Sequence, residues 1–437
     1  MTSTIEQLKR EIDLGTIDPP FLMNLYRNCF YSTLETTTEL LPDGTSFVFT
    51  GDIPAMWLRD SSAQVRHYIP FSVDNVLLRH IIEGLIKRQM QYIRTDPYAN
   101  AFNREPDNAG HRQDRTQQNP WVWERKYEAD SLCYPIQLSY LYWKATGATS
   151  FFDNGFREAV RTILELWQRE QHHSEDSPYR FERASSLPTE TLQNGGRGTP
   201  VRYTGMTWSG FRPSDDACTF HYLIPANMFA VVVLRYIDEI ARDVWKDDAL
   251  SGSAKKLGRE INDGIQSHGI FRHPKYGPIY AYETDGMGHY NLMDDANVPS
   301  LLSIPYLQYQ AAEDPIYVNT RRFLLSRDNP WFFEGSCAKG IGSPHTSKDY
   351  IWHIGLIMQA LTSTDEEEIR ELLKMIAGTD ADTGYMHESF HKDDPGQFTR
   401  PWFAWANSLF AELIYRIMKD GKQHLFHWKG RGSQPTM

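Results

Sequence analysis

The segment Gly205-Met-Thr-Trp-Ser-Gly-Phe-Arg-Pro-Ser-Asp-Asp216 sets two adjacent carboxyls, Asp215 and Asp216, beside Arg212 and Trp208, just ahead of an apolar pattern that starts at Phe220. Such a set makes a poor piece of hydrophobic core and a good rim for a polar, cyclic ligand. A second rim lies far down the chain, where Tyr385-Met-His-Glu388-Ser is followed by Thr399-Arg400-Pro-Trp402. If the fold brings the two together, opposed carboxyls lined by aromatics are the equipment for acid–base cleavage of a glycosidic bond. Adjacent side chains at a helix start point in different directions, so Asp215 and Asp216 cannot both face one atom. One is expected to cap the following helix and the other to face the site. Glu388 is the candidate base; its plain alternative is a surface glutamate.

Four further clusters have the same character. In Thr50-Gly-Asp-Ile-Pro-Ala-Met-Trp-Leu-Arg-Asp60, the charged Asp52, Arg59 and Asp60 alternate with Trp57. A guanidinium offers a planar fork of donors and a carboxylate accepts two hydroxyls, although an Arg–Asp pair that merely ties down a loop fits as well. The stretch 121–133 offers Glu128 as an acceptor and Asp130, for which helix capping is the preferred reading. The stretch 283–297 supplies Asp294, Asp295 and Asn297; a hard-cation site would need oxygens converging from a defined loop, and hydroxyl recognition or capping is more economical. His345 sits on the Gly/Pro-shaped loop 340–350, as a hydrogen-bonding residue rather than a catalyst.

The elements that must position these clusters read as helices. Phe156, Val160, Ile163, Leu164 and Trp167 recur at helical spacing with Arg157, Glu158 and Arg161 opposite. Ile369, Leu372, Leu373 and Ile376 do the same behind a Thr364-x-x-Glu367 capping box, and Leu409, Leu413, Ile414 and Ile417 near the C-terminus. Leu132–Trp143, Met228–Ile237 and Ile351–Leu361 are apolar nearly all round. Alternation of the two kinds predicts two layers, inner helices buried on both sides and outer ones half wet. Strand patterns are few: Ser46–Thr50, and a short hairpin arm at Tyr276–Tyr282. The six polar clusters (50–62, 119–130, 205–216, 285–299, 340–350 and 385–402) each precede an expected inner helix. This predicts an all-α chain, an (α/α)6 barrel of six helical hairpins with short β-hairpin excursions and all clusters at one end. No linker or composition break divides it, so residues 1–437 are expected to form a single catalytic domain.

Bulk composition narrows the partners. The chain has 437 residues, 41% hydrophobic and 23% charged, enough for a large core. A net charge of −11 disfavours nucleic acid or an anionic membrane. Aromatics reach 13%, with 12 Trp and 23 Tyr, which suits both a large core and flat faces for sugar rings. The four cysteines are scattered without a CxxC pair, which disfavours zinc and suits a reducing compartment. No apolar run reaches signal-peptide or membrane-span length, so the expectation is a cytoplasmic protein. Oligomeric state is not legible.

Taken together, GDIPAMWLRDSSAQV (51–65), WERKYEADSLCYPIQL (123–138), GMTWSGFRPSDDAC (205–218), MDDANVPSLL (293–302), GYMHESFHKDDP (384–395) and FTRPWFAWANSLFAEL (398–413) resemble glycoside hydrolase family 125, the metal-independent exo-α-1,6-mannosidases. The resemblance implies a six-hairpin barrel, removal of terminal α-1,6-linked mannose from oligosaccharides or N-glycan fragments, inversion at the anomeric carbon and no cofactor or metal. It also implies a general-acid aspartate in FRPSDD and a general-base glutamate in GYMHES. These correspond to Asp215, preferred over Asp216 because it lies nearer the loop, and Glu388. Trp57, Arg59, Asp60, Asn297 and His345 are the expected pocket walls, with Asp52, Glu128, Trp208, Arg212, Asp216 and Arg400 as further substrate contacts. Inversion calls for carboxyls roughly 6.5–9.5 Å apart. The rivals are another toroid glycosidase or a phosphorylase, a sugar epimerase using paired histidines among His273, His289, His345 and His353, and a metal-dependent lyase using Asp294 and Asp295.

Overall fold

The computed structural model describes residues 2–428. Helices dominate, and their burial separates them into two kinds. In the helix Ile224–Ile240 every side chain is buried except Arg235, Asp238 and Glu239. The helix Asn154–Glu170 instead buries Phe156, Val160, Ile163, Leu164 and Trp167 and leaves Glu158 and Arg161 exposed. Its start is fixed by Asp153, whose carboxylate accepts from the Phe156 N–H at 2.9 Å. Each fully buried side chain of this size contributes about 1.5–3 kcal/mol, so the two burial patterns decide which layer a helix can occupy.

The buried set comprises Leu58–Arg66, Cys133–Thr146, Ile224–Ile240, His353–Leu361 and Ala404–Lys419. Leu58–Arg66 packs on both Cys133–Thr146 and Ala404–Lys419; Cys133–Thr146 also meets Ile224–Ile240, and Ala404–Lys419 meets His353–Leu361. Outside them lie Pro20–Thr36 against Ala404–Lys419, Val76–Thr95 against Asn154–Glu170, Asp248–His268 against Ile224–Ile240, and Glu366–Gly378 against His353–Leu361. One hydrophobic core runs through these elements from Leu8 to Phe426.

Several expectations are corrected. No helix follows the 285–299 cluster; residues 301–308 are turns that still bury Leu301, Leu302, Ile304 and Leu307. The Asp294 carboxylate takes the Leu301 and Leu302 N–H groups at 2.8 and 3.0 Å, and Ser300 and Ser303 bond each other's backbone. Side-chain acceptors of this kind compete with helical hydrogen bonds. The cap of Glu366–Gly378 is Asp365, which accepts from Glu367 N–H at 2.9 Å, one residue beyond the expected Thr364. Ile351 belongs to a strand, Tyr350–Trp352, and not to the helix behind it. Strands do form within the two expected stretches, at Ser46–Val48 and Gly277–Tyr280, and their partners, Thr38–Leu40 and Ile270–His273, had not been expected.

Small antiparallel sheets carry the loops. Met56–Trp57, Ala101–Phe102 and Val122–Glu124 form one, Tyr350–Trp352, Ser389–His391 and Asp394–Thr399 another. Each holds a polar cluster next to the start of a buried helix.

Candidate active site

Five of the six polar clusters meet in one cavity of about 360 Å³, counting its open mouth. The chain reaches it first at Thr50, and the φ of +136° at Gly51 and its bridge to Phe403 let the backbone pass where a Cβ would meet the Trp402 carbonyl at 2.6 Å. Only glycine fits such an approach. The strand Met56–Trp57 then aims Trp57 inward, and Arg59 and Asp60 follow in the first turn of the Leu58 helix. Leu58 N–H is held by the Asn100 carbonyl at 3.1 Å.

Asp215 arrives on the tip of a tight loop closed by a bridge between Phe211 and Ala217. Its N–H bonds the Arg212 carbonyl at 2.9 Å and its φ is +67°, a conformation Asp tolerates better than most residues. The side chain is 27% exposed and lines the cavity. Glu388 precedes the strand Ser389–His391, lines the same cavity, and is 5% exposed. It accepts from Thr399 Oγ1 at 2.9 Å and lies 3.6 Å from Arg400 Nη1. Arg400 in turn is held by Asp52, whose two oxygens receive its Nε–H at 3.1 Å, and lies over the Phe403 ring at 4.7 Å.

Arg59 is the electrostatic centre. Its Nη1 lies 2.5 Å from Glu128 and 3.5 Å from Asp130, its Nη2 3.4 Å from Asp215, and its Nε 3.4 Å from Asp60. Burial pushes the Asp215 carboxyl up, but Arg59, a hydrogen bond with Glu128 and the charges of Lys126 and His345 outweigh it and hold Asp215 well below the usual carboxylate range. For Glu128 burial wins: the carboxyl is pushed well up, with Arg59 opposing and Asp215 and Asp130 adding to the rise. Burial also raises Asp60, and Asp130 to about 6. His345 faces the cavity and bonds Asp216 at 3.2 Å; burial lowers its pKa, but that bond and the charges of Asp216, Glu388 and Asp215 raise it to about 9.

The expected site residues therefore divide. Trp57, Arg59, Asp60, Asp215, Asn297, His345, Glu388 and Arg400 line the cavity. Asp52, Glu128 and Asp216 stand behind it, holding Arg400, Arg59 and His345. Trp208 is no rim: it is fully buried, stacked on His173 at 3.6 Å and near Tyr127 and His221. Arg212 is no ligand donor either, because its Nε bonds Glu283 at 2.6 Å inside the protein. Neither Asp215 nor Asp216 caps a helix; the next one starts at Ile224 behind Leu223. Asp130, expected as a cap, pairs with Arg59, and the one-turn 3₁₀ helix around it has no side-chain cap. Asp294 is spent on backbone N–H groups, and Asp295 on Asn297 and on Ser214 at 3.0 Å.

Sequence reasoning missed several walls. Trp352, Phe403 and Trp405 line the cavity, Trp405 beneath Arg59 at 5.7 Å. Phe403 and Trp405 stand within the FTRPWFAWANSLFAEL segment, where an indole opening a buried helix is the available signal. Asn100, which donates to Glu124, Asp215 and Glu128 at 3.0, 3.2 and 3.5 Å, has no signal at all. A roomier groove of about 900 Å³ between Ile224–Ile240 and Asp248–His268 has Asp238 as its single carboxyl and so lacks an opposed pair.

The family model of the metal-independent α-mannosidases, glycoside hydrolase family 125, matches residues 19–415. This chain belongs to that family. Family 125 membership makes it a glycoside hydrolase of the α-mannosidase kind. A family 125 structure from Streptococcus pneumoniae, described as a non-productive substrate complex with α-1,6-mannobiose, is 50% identical, with a TM-score of 0.91 over 92% of this chain and 95% of that one. The meiotically up-regulated gene 157 protein of Schizosaccharomyces pombe (strain 972 / ATCC 24843) is 39% identical, covering 97% of this chain and 86% of the relative. A wild-type protein described only as a glycosidase shares the fold, at 11% identity and a TM-score of 0.51 over 94% of this chain and 100% of that one.

Proposed function

We propose that this family 125 member is an inverting exo-α-1,6-mannosidase that removes terminal α-1,6-linked mannose from oligosaccharides or N-glycan fragments. The observation that carries the reading is the placement of Asp215 and Glu388 on the walls of one cavity. Its likeness to the Streptococcus pneumoniae protein, whose complex holds α-1,6-mannobiose, supports the linkage. Asp215 is the general acid: it faces the cavity, whereas Asp216 is 1% exposed and engaged with His345. It protonates the glycosidic oxygen as positive charge builds on the ring. Glu388, oriented by Thr399 and Arg400, takes the proton of a water attacking the opposite face.

The groups assigned to sugar hydroxyls are Trp57 Nε1, a buried donor with no hydrogen bond within the protein, and Arg59 Nε and Asp60 Oδ2, which make no hydrogen bond but form an ion pair with each other at 3.4 Å. Such groups cost about 1–3 kcal/mol each when left unpaired, so a ligand that satisfies them binds with orientation. The aromatic walls Trp57, Trp352, Phe403 and Trp405 suit the apolar faces of one pyranose.

The packing of buried and outer helices supports a closed (α/α)6 ring, with the turns at 301–308 in place of one inner helix, and the continuous core supports a single catalytic unit. Free thiols at Cys29, Cys133, Cys218 and Cys337 favour a reducing, cytoplasmic setting. Among the described residues no helix is long and apolar enough to cross a membrane. A sugar epimerase is disfavoured because His345 is the one histidine lining this cavity; His353 is buried against the His387 carbonyl and Thr379. The test is product analysis on α-1,6-, α-1,3- and α-1,2-mannobiose. Release of mannose from the α-1,6 isomer with at least about tenfold preference is expected, about 1.4 kcal/mol in the transition state; equal or reversed preference overturns the linkage.

A further inference from the structure

Asp215 carries an apparent contradiction. A general acid must hold a proton, yet Arg59 and its neighbours favour the ionised form of this carboxyl. The groups around it resolve the matter. Four carboxyls, Asp60, Glu128, Asp130 and Asp215, contact the single guanidinium of Arg59. Three of them are 4% exposed or less. Lys126 and His345 add positive charge near Asp215, and Arg400 near Asp60, yet four carboxyls on one guanidinium, three of them buried, oppose full ionisation, and one retained proton is assigned to the cluster.

Geometry selects its seat. Glu128 and Asp215 share Asn100 Nδ2 as a donor, at 3.5 and 3.2 Å, and flank the same guanidinium at Arg59 Nη1 and Nη2. Glu128 Oε2 also accepts from Ser131 Oγ at 2.7 Å. Its side chain is wholly buried and does not line the cavity, so it reaches substrate only through Arg59 and Asp215, which do. A plain Arg59–Glu128 anchor would not need Asn100 to join Glu128 to Asp215.

We propose that Glu128 is a positioning residue of the reaction: it shares one proton with Asp215 and delivers it to that carboxyl as the glycosidic bond breaks. The inference rests on the reading of Asp215 as the acid. Before bond cleavage the pair holds one proton, mainly on Glu128. As C1–O breaks, its electron pair goes to the departing oxygen. That oxygen takes a proton from Asp215, and Asp215 is reprotonated by, or takes its proton from, Glu128. Water oxygen bonds C1 and its proton goes to Glu388. After product leaves, one proton passes from Glu388 through solvent back to the Glu128–Asp215 pair, which restores the starting state. In the bond-breaking step both carboxyls become anionic, which favours the positive charge on the sugar ring.

The test compares Glu128→Gln, Glu128→Asp and Asp215→Asn on α-1,6-mannobiose and on 2,4-dinitrophenyl α-mannoside, whose leaving group departs without protonation. For Glu128→Gln, kcat/KM on mannobiose is expected to fall on the order of 10²-fold, with a far smaller loss on the aryl mannoside. The alkaline limb of its pH profile is expected to move to lower pH by about one unit or more, because Asp215 loses its carboxyl partner while Arg59, Lys126 and His345 remain. Glu128→Asp, which keeps a carboxyl, is expected to restore that limb. Equal losses on both substrates with an unmoved limb, no loss on either, or a Glu128→Asp profile matching Glu128→Gln would each overturn the proposal; if Glu128→Gln does not fold, the position of the Glu128→Asp limb decides. Asp215→Asn separates the two layers. If it lacks the leaving-group dependence, the acid assignment fails; if it shows the dependence and the Glu128 variants do not, only this inference fails.

Discussion

Replacing Glu388 with glutamine removes one proton acceptor and little else. The side chain lies among Thr399 Oγ1 at 2.9 Å and Arg400 Nη1 at 3.6 Å, and Gln keeps its length and one acceptor oxygen. The Thr399 hydrogen bond can persist through that oxygen. The weak Arg400 contact loses its charge complement, while Arg400 stays anchored by Asp52. The stability cost is therefore about 1 kcal/mol, that of a single altered hydrogen bond to a charged group. The chemical cost is much larger. Loss of a general base takes roughly 10²–10⁴ from the rate, or about 3–5.5 kcal/mol on the barrier. The assay is kcat on α-1,6-mannobiose beside the thermal midpoint of both proteins. Because water activation is needed whatever departs, the loss is expected on the aryl mannoside as well. A Glu388→Gln protein that stays folded and turns over within about threefold of the parent, under 1 kcal/mol, would refute the assignment.

Three further outcomes follow from individual contacts. Trp208→Ala empties a fully buried site between His173 and Tyr127 and is expected to cost about 3–5 kcal/mol of stability, read by denaturant melts; a raised KM with unchanged stability would return Trp208 to the sugar site. Asp215→Asn is expected to lose roughly 10²–10⁴-fold on mannobiose while folding normally, and Asp216→Asn to lose less, since it reaches the cavity only through His345. The His345–Asp216 pair gives a stability term with a definite sign. The His345 pKa is raised to about 9, so its contribution is fully present below the unfolded value of about 6.5 and lost as pH rises through about 9. Discounted for a side chain nearly a third exposed, it amounts to roughly 1–3 kcal/mol. Asp216→Asn is therefore expected to flatten the decline in melting temperature between those pH values; an identical decline in both proteins would contradict it.

The sequence speaks most clearly where a residue's type leaves few alternatives. Asp215, Glu388 and Arg400 lie in segments crowded with Gly, Pro and aromatics, Asp60 lies in the first helical turn behind another, and all of them reach the cavity. Trp208 and Arg212 share the same segment and go elsewhere, because a tight turn alternates which side chains face in: the loop that presents Asp215 turns Arg212 back onto Glu283. Spacing alone cannot predict that. The inner and outer helices were legible from periodicity, while the turns at 301–308 were not, since Asp294 and the serines override an apolar pattern by hydrogen bonding. Asn100 was invisible, because a short polar residue becomes specific only through partners far away in the chain, and Thr399 stood in the second rim without a role until its bond to Glu388 was seen.

If Asp215 and Glu388 act from opposite sides of one mannose, with a water between the sugar and the glutamate, the hydroxyl arrives on the face opposite the departing oxygen. Proton NMR of the first mannose released from α-1,6-mannobiose, recorded before mutarotation equilibrates the anomers, reads that stereochemistry. The β anomer is expected to appear first and to decay toward the equilibrium mixture; initial release of the α anomer would mean retention, and no attack by a Glu388-activated water on the face opposite Asp215.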